Sequence, residues 1–233
     1  MIETAMILAA GKGTRMRAAP NDPPKPLVEI AGQSLLARMV ARLEAAGICR
    51  IIINMHHKAE AIAAFAADHQ GTAEIQLSDE RAALLETGGG VKKALPLLGD
   101  KPFVVANGDV LWRDKHPQLQ AFIDGFEADK MAARLLLANR ARATGYDGTG
   151  DYHLLDDGRL QRKTQGAADY IFAGVQILTP SLFDDAPDGA FSLNHIYDTA
   201  QAQNRLYGHL LDGLWMHVGT PQGRAAAEAE LAQ

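Results

Sequence analysis

Glycines and basic residues that could bind a polyphosphate follow a short apolar run near the amino terminus of this 233-residue chain. Ala5 to Leu8 form the apolar run, Gly11 and Gly13 come next, and Arg15 and Lys25 follow. Glycine lets a backbone expose its amides to an anion, because it has no Cβ and can adopt positive φ. We interpret this segment as a cradle for a triphosphate.

Lys25 lies among prolines, which stiffen the backbone that carries it. Four of the ten prolines fall within the few residues around it, at Pro20, Pro23, Pro24 and Pro26. Each proline fixes its own φ and restricts the residue before it. A lysine ordered in advance loses less entropy when it binds a phosphate, which is what a clamp requires.

Other glycine loops are a poorer match to this segment. Met16 stands where the dinucleotide fingerprint requires a third glycine, and the order of residues is not that of a Walker loop. A plain strand-to-helix turn without a ligand remains the alternative on the glycines alone.

The strongest acidic signal is the segment PFVVANGDV, in which an apolar strand ends in Asn-Gly-Asp. Ligands of α/β sheets bind beyond the carboxyl ends of the strands, where Asp109 is expected. Mg²⁺ uses few carboxylates together with waters and phosphate oxygens, so one aspartate suffices as an anchor. Asn-Gly-Asp is also a common turn sequence, which is the alternative for Asp109.

The elements that must position these residues alternate between strand and helix. Strands are predicted at 5–8, 50–54, 74–77 and 103–106, and helices at 35–43, 57–69 and after Gly90. Ser34 is expected to cap the first helix, and Gly219-Thr220-Pro221 to begin the last. Such alternation predicts an α/β fold, with a mixed, mostly parallel central sheet flanked by helices. Longer strands at 131–138 and 170–179, with a turn at 156–158, predict an antiparallel portion that lines a second ligand.

Composition narrows the classes of function. The net charge of −5 argues against nucleic-acid binding, and no apolar run is long enough to span a membrane. We expect one domain over 1–233, cytoplasmic, with halves at about 1–130 and 131–233. The single cysteine, Cys49, is expected to be a buried structural thiol. The oligomeric state is left open.

The segments LAAGKGTRM and PPKPLVEIAG resemble the signature of the sugar-1-phosphate nucleotidylyltransferases. The resemblance implies a Rossmann-like nucleotidyltransferase fold and a reaction that joins a nucleoside triphosphate to a sugar 1-phosphate, releasing pyrophosphate. Within the family, the chain is most similar to enzymes that use UTP and N-acetylmuramate 1-phosphate in cell-wall recycling. Mannose 1-phosphate with GTP, or another such pair, remains the alternative.

The resemblance also implies roles for single residues. Arg15, Lys25 and Asp109 are the expected catalytic residues. Residues expected to bind the nucleotide come from both glycine-rich loops and from the strand before Asp109: Ala10, Gly11, Gly13, Thr14, Arg15, Lys25, Thr87, Gly88 and Asn107. The loop LLETGGG is the family's second nucleotide loop, and its glycines are expected to open a helix whose free amides face the ligand.

The expected cofactor is Mg²⁺, with Mn²⁺ as an alternative. Asp109 is its expected ligand, together with His217 in the segment GLWMHVGTP. The family normally has an aspartate at the His217 position, so this chain departs from the pattern there. An imidazole suits Mn²⁺ better than Mg²⁺, so His217 either ligates the metal or leaves Asp109 to hold it.

Three residues are expected at the sugar phosphate by the same resemblance. Lys163, after the 156–158 turn, matches the lysine that binds the phosphate, and Gly145 and Gly174 permit close approach of the sugar. Trp215 is expected to pack in the core rather than to touch a ligand.

Functions of other classes fit less well. A nucleotide-sugar binding module that has lost activity through the change at His217 remains open, although Arg15, Lys25 and Asp109 argue against it. The broken fingerprint disfavours NAD-dependent oxidoreduction, and the serines lack the pattern of a hydrolase nucleophile.

Overall fold

The structure is a computed structural model that describes residues 1–11 and 22–232. Its strands are β1 Thr4–Leu8, β2 Glu29–Ile30, β3 Gln33–Ser34, β4 Arg50–Met55, β5 Glu74–Asp79, β6 Phe103–Asn107, β7 Leu111–Asp114, β8 Ala133–Asn139, β9 Tyr152–Leu154, β10 Leu160–Arg162, β11 Tyr170–Leu178, β12 Leu206–Leu210 and β13 Gly213–Met216. Its helices are α1 Leu35–Ala45, α2 Ala59–Ala67, α3 Glu86–Leu98, α4 Gln118–Asp124, α5 Asn194–Ala202 and α6 Pro221–Leu231.

The central sheet has the order β10-β9-β11-β6-β1-β4-β5, and β8 joins it through β11 and β12. The strands from β6 to β5 are parallel, as the alternation of strands and helices predicts. β11 lies antiparallel to β6 and to β8, whereas β12 runs parallel to β8. The predicted fold class is therefore confirmed, including its antiparallel portion.

Two apolar layers cover the two faces of the sheet. In β1, Ala5 and Ile7 face the layer built with α1, α2 and α4, whereas Met6 faces the layer built with α3 and α5. A strand buried on both faces must be apolar at consecutive positions, which explains the unbroken run in β1. The run was the correct signal for a central strand.

Helix ends follow the local rules that the sequence indicates. The Ser34 hydroxyl accepts a hydrogen bond from the Ala37 amide at 3.1 Å at the start of α1. Thr220 does the same for Gly223 at 3.1 Å, with Pro221 as the first residue of α6. Both predicted helix starts are confirmed.

A two-stranded antiparallel ribbon of β7 and β13 stands apart from the main sheet. Its register pairs Leu111 with Met216, so the ribbon joins residues distant in sequence. Both residues are buried in a small third cluster, which also contains Val218 and Ala227. This ribbon was not predicted from the sequence, because neither short strand shows a clear alternation of apolar residues.

Two expectations about local structure are wrong. Cys49 is exposed, because it lies in the connection before β4 and the buried run begins only at Ile51. The third helix begins at Glu86 rather than after Gly90, so the three glycines lie inside α3. Among residues 1–11 and 22–232, no helix combines the length and hydropathy needed to cross a membrane.

Candidate active site

The carboxyl ends of the four parallel strands meet at one edge of the sheet, and the candidate site lies there. β1 leads into Ala9, Ala10 and Gly11, and in the parallel register Leu8 lies beside Asn107 of β6. Gly11 is exposed, and a Cβ on it would meet no atom within 4 Å among residues 1–11 and 22–232 outside its chain neighbours. Of the predicted nucleotide residues, Gly13, Thr14 and Arg15 lie outside the described residues.

Lys25 and Asp109 form an ion pair between Nζ and Oδ2 at this edge. Their side chains are only 18% and 33% exposed, respectively. Lys25 begins a short 3-10 turn after Pro24, whose carbonyl accepts the Leu27 amide at 2.8 Å. Two residues expected to share one polyphosphate, 84 positions apart in sequence, therefore contact each other directly.

The Asn-Gly-Asp turn at 107–109 packs against the end of β1, where the first glycine loop begins at Ala9. The Gly108 amide donates to the Leu8 carbonyl at 2.9 Å, and a Cβ at Gly108 would approach Pro26 to 3.3 Å. Asp109 can therefore belong to a turn and also bind a ligand, because the turn holds it opposite Lys25.

The ribbon brings Asp109 and His217 to the same end. Leu111 pairs with Met216, so the next residues outward on the two strands are Val110 and His217, with Asp109 one position further. Gly174 lies against this end, since a Cβ on it would overlap Val110 and approach Asn107 Nδ2 to 3.3 Å. With φ of +88°, Gly174 also adopts a backbone conformation that favours glycine.

The His217 ring is held by its neighbours. Its Nδ1 lies 3.2 Å from the Gly145 carbonyl oxygen and donates to it, because a carbonyl can only accept. The Trp215 indole stacks on the ring at 6.1 Å between centroids, and Tyr146 meets it edge-on at 6.3 Å. Trp215 is buried, as predicted, and its Nε1 donates to the Ala173 carbonyl at 3.2 Å.

One carboxylate and one imidazole at the end of a ribbon fit a divalent cation whose remaining ligands come from water and substrate. Asp109 is partly accessible, and the strand register places His217 at the same end of the ribbon. Mg²⁺ in phosphate-binding enzymes takes one or two carboxylates and completes its shell with water and phosphate oxygens. The residues present suit this mode of binding.

Lys163 directly follows β10, in the half of the chain that is expected to bind the sugar phosphate. Its Nζ donates to the Thr149 hydroxyl, and its backbone amide donates to the Asp151 carbonyl at 2.8 Å. Asp151 in turn accepts the Phe172 amide at 2.9 Å. The same segment reaches Tyr146, because the Gly150 amide donates to the Tyr146 hydroxyl at 3.2 Å. These hydrogen bonds connect Lys163 to the segment 146–151, which follows Gly145, and through Asp151 to β11, which contains Gly174.

The second glycine loop does not present free amides from its glycines. The Gly88 and Gly89 amides both donate to the Phe191 carbonyl, at 2.7 and 3.2 Å, and the Thr87 hydroxyl accepts the Leu193 amide at 2.9 Å. A Cβ at Gly89 would overlap the Gly189 carbonyl. The expectation of free amides is therefore wrong, because the segment 189–193 packs onto the start of α3 and uses them.

Two buried polar residues beneath the first loop escaped the sequence analysis. The Asn54 side-chain oxygen accepts the amides of Ala9 and Ala10, at 2.6 and 3.2 Å. Its Nδ2 donates to Glu80 Oε1 at 2.7 Å, and burial raises the pKa of Glu80. The available signal was a polar residue at the end of each apolar strand, IIINM and IQLSDE, at the ligand-binding edge of a parallel sheet.

Known proteins resemble this chain over nearly its whole length. A family model for the MobA-like NTP transferase domain matches residues 5–143. An N-acetylmuramate alpha-1-phosphate uridylyltransferase of Caulobacter vibrioides is 43% identical over 98% of this chain and 97% of its own length. One from Neisseria meningitidis serogroup B is 36% identical over 93% of each chain.

A solved structure shares the fold at low sequence identity. A UDP-glucose pyrophosphorylase complexed with UDP-glucose superposes with a TM-score of 0.81 at 17% identity, covering 100% of this chain and 99% of that chain.

A parallel sheet with Gly11 at its carboxyl edge and Lys25 paired with Asp109 beside it is an arrangement suited to binding a nucleotide. The chain belongs to the MobA-like NTP transferase family, and within it to the sugar-1-phosphate nucleotidyltransferases.

Proposed function

We propose that this protein transfers a uridylyl group from UTP to N-acetylmuramate α-1-phosphate and releases pyrophosphate. The observation that carries the proposal is the contact between Lys25 and Asp109 beside the first loop. The names of the two relatives that match over more than nine-tenths of the chain support the choice of sugar and base.

The chemistry requires two mutually repelling phosphates to be held together. A sugar-phosphate oxygen attacks the α-phosphorus of the triphosphate in line, the new P–O bond forms, and the bond to pyrophosphate breaks. The nucleophile is already an anion, so no covalent enzyme intermediate is needed. Positioning and charge neutralisation therefore supply the catalysis.

Lys25 and Arg15 act as the cationic clamp on the triphosphate in this proposal. Lys25 leaves Asp109 and binds phosphate oxygens, and the prolines around it limit the entropy that it loses. Asp109, with His217 as a second ligand, holds Mg²⁺ or Mn²⁺. The bound cation supplies positive charge to the α- and β-phosphates.

The nucleoside is bound between the two loops. Ala10, Gly11, Gly13 and Thr14 approach it from the first loop, Thr87 and Gly88 from the start of α3, and Asn107 from the end of β6. Because the Gly88 amide donates to the Phe191 carbonyl and the Phe191 ring fills the space beside Gly88, the exposed Thr87 is the more accessible of these two residues.

The sugar phosphate is bound by the second half of a single domain over 1–233. Lys163 supplies charge to the attacking phosphate, and Gly145 and Gly174 admit the sugar beside His217 and Asn107. The hydrogen bond between the Gly145 carbonyl and His217 Nδ1 supports a position of Gly145 beside a proposed metal ligand, whereas Val110 fills the space beside Gly174.

Pyrophosphate release from a panel of substrates tests the proposal. UTP, GTP, CTP and dTTP are each combined with N-acetylmuramate α-1-phosphate, N-acetylglucosamine 1-phosphate and mannose 1-phosphate, with Mg²⁺ or Mn²⁺. We expect the highest kcat/KM with UTP and N-acetylmuramate α-1-phosphate. A higher kcat/KM with GTP and mannose 1-phosphate would instead identify those two compounds as the substrates. Thermal stabilisation by UTP without any pyrophosphate release would indicate a binding module.

A further inference from the structure

Two backbone amides leave the sheet at the start of the first loop and need a buried acceptor. β1 ends its pairing at Leu8, and Ala9 and Ala10 follow as buried residues. A buried amide without an acceptor destabilises the structure, so the conformation here depends on whatever accepts these amides. Asn54 Oδ1 accepts both, at 2.6 and 3.2 Å.

The orientation of the Asn54 carboxamide is fixed from its other end. Its Nδ2 donates to Glu80 Oε1 at 2.7 Å, and the two side chains belong to residues that are 2% and 0% exposed. A carboxamide rotated by half a turn would present Nδ2 to two N–H donors, which no hydrogen bond could accommodate. Glu80 thereby selects the rotamer that serves the loop.

The sheet register places these two residues side by side. Asn54 lies opposite Ser78 in β4 and β5, and Met55 opposite Asp79, with Glu80 next along the chain. The Glu80 backbone is anchored as well, since its amide donates to the Met55 carbonyl at 2.8 Å and its carbonyl lies 2.8 Å from His56 Nδ1.

Helix α3 leaves space for the pair at Gly90. A Cβ at this position would lie 2.7 Å from Glu80 Oε1 and 3.1 Å from Asn54 Nδ2. The third glycine of the run is therefore required by the hydrogen bond between Asn54 and Glu80. The hydrogen bond between Asn54 and Glu80 therefore lies between Gly90, in the second glycine-rich segment, and Ala9 and Ala10, at the start of the first.

We propose that Asn54 is a positioning residue that fixes the backbone of the first glycine loop, and that Glu80 and the space at Gly90 fix Asn54. The inference deepens the proposed function and rests on it only in taking the loop as the nucleotide site. Asn54 acts through Ala9 and Ala10 and does not itself touch the substrate.

Hydrogen exchange and steady-state kinetics of three variants test the proposal. Asn54→Ala removes the acceptor, Glu80→Met removes the group that orients it, and Glu80→Gln keeps an acceptor for Asn54 Nδ2. Exchange of the Ala9 and Ala10 amides is followed by NMR on the full-length, ligand-free protein. Ser78→Ala, which changes the buried neighbour of Asn54, is the matched control.

We expect Asn54→Ala to accelerate exchange at Ala9 and Ala10 by on the order of tenfold or more, while amides of Ile51 to Ile53 stay protected. The KM for the nucleoside triphosphate should rise by a similar factor, and the KM for the sugar phosphate should stay within about twofold. Glu80→Met should show the same pattern, and Glu80→Gln and Ser78→Ala should behave as the wild type.

Unchanged exchange at Ala9 and Ala10 in Asn54→Ala would overturn the proposal. Equal rises in both KM values with general loss of protection would also overturn it, because they indicate only a role in stability. If Asn54→Ala does not fold, Glu80→Met and Gly90→Ala carry the test with the same criteria. The exchange measurement uses no substrate, so it stands even if the proposed transferase activity fails.

Discussion

The Lys25 ammonium donates a hydrogen bond to Asp109 Oδ2, so the two groups that we propose to bind phosphate and metal are paired with each other. Burying an unpaired charge in this partly closed site would cost more than leaving the pair intact. The proposed function requires substrate binding to separate this pair, because Lys25 would bind phosphate oxygens and Asp109 would hold the divalent cation.

The ion pair predicts how Lys25→Met changes binding and turnover. Without the ammonium, Asp109 should bind Mn²⁺ more tightly in the absence of nucleotide, because no cation competes for Oδ2. Turnover should fall by on the order of 10²- to 10³-fold, as for loss of one electrostatic contact in the transition state. Calorimetric titration with MnCl₂ and a pyrophosphate-release assay measure the two effects.

Two variants control that experiment. Lys101→Met, at an exposed lysine, should change neither quantity. Asp109→Asn should abolish the Mn²⁺ binding gained by Lys25→Met when the two changes are combined. Weaker Mn²⁺ binding in Lys25→Met would show that Lys25 supports the metal site rather than competing with it.

His217 predicts a characteristic metal dependence. A carboxylate is a better ligand for Mg²⁺ than an imidazole, so His217→Asp should lower the Mg²⁺ concentration for half-maximal rate and reduce the preference for Mn²⁺. His217→Ala should raise that concentration several-fold while retaining some turnover through Asp109. Identical Mg²⁺ curves for all three proteins would remove His217 from the metal site.

Alanine substitutions at Gly89 of α3 and at Gly11 of the first glycine loop are predicted to have different effects, on stability and on nucleotide affinity respectively. Gly89→Ala gains about 1 kcal/mol of helix propensity, but its Cβ would overlap the Gly189 carbonyl, and overpacking against backbone costs about 1–3 kcal/mol. We expect a net loss of about 1 kcal/mol in the free energy of unfolding by urea. Gly11→Ala places its Cβ more than 4 Å from the described residues outside its immediate chain neighbours, and we expect it to lower nucleotide affinity by crowding the ligand.

His209 predicts a pH dependence of stability. Burial, with the nearby Arg134 charge as the second cause, lowers the pKa of His209 from 6.5 to about 4, and Nδ1 accepts a hydrogen bond from Arg134 Nη2 at 3.0 Å. Between these pH values the unfolded chain binds a proton that the folded protein does not. Stability is therefore lost as pH falls from about 6.5 to about 4.

The variant His209→Gln isolates this contribution, because it keeps an acceptor for Arg134 and does not titrate. Relative to His209→Gln, the wild type should lose up to about 3 kcal/mol of unfolding free energy across that window. Urea denaturation of both proteins at several pH values measures the difference. Parallel stability curves would contradict the lowered pKa.

The parallel half of the fold was predictable because its signals are local. An unbroken apolar run such as Ala5 to Leu8 identifies a central strand, and Ser34 and Pro221 mark helix starts through contacts with their own turns. The rule that ligands bind at the carboxyl edge of the sheet predicted that Lys25 and Asp109 lie near one ligand, but it did not predict the ion pair between them.

The remaining features depend on contacts between distant residues. The expectation of free amides at the α3 glycines was wrong because the distant Phe191 carbonyl accepts hydrogen bonds from Gly88 and Gly89. Asn54 and Glu80 were missed because no property of either strand alone shows that a carboxamide and a carboxyl will share a bond. Cys49 was misassigned because burial begins two residues later, a boundary that periodicity does not resolve.

The β7–β13 ribbon sets the order of events during synthesis on the ribosome. Asp109 emerges early, but the strand that pairs with the one after it is translated roughly a hundred residues later, which takes about 5–20 s at typical elongation rates. The nascent sheet must persist through that interval with its catalytic edge incomplete. Until β13 is translated, Leu111 lacks the Met216 and Val218 side chains that complete its apolar cluster, whereas Trp112 already has Arg42 of α1 over its ring.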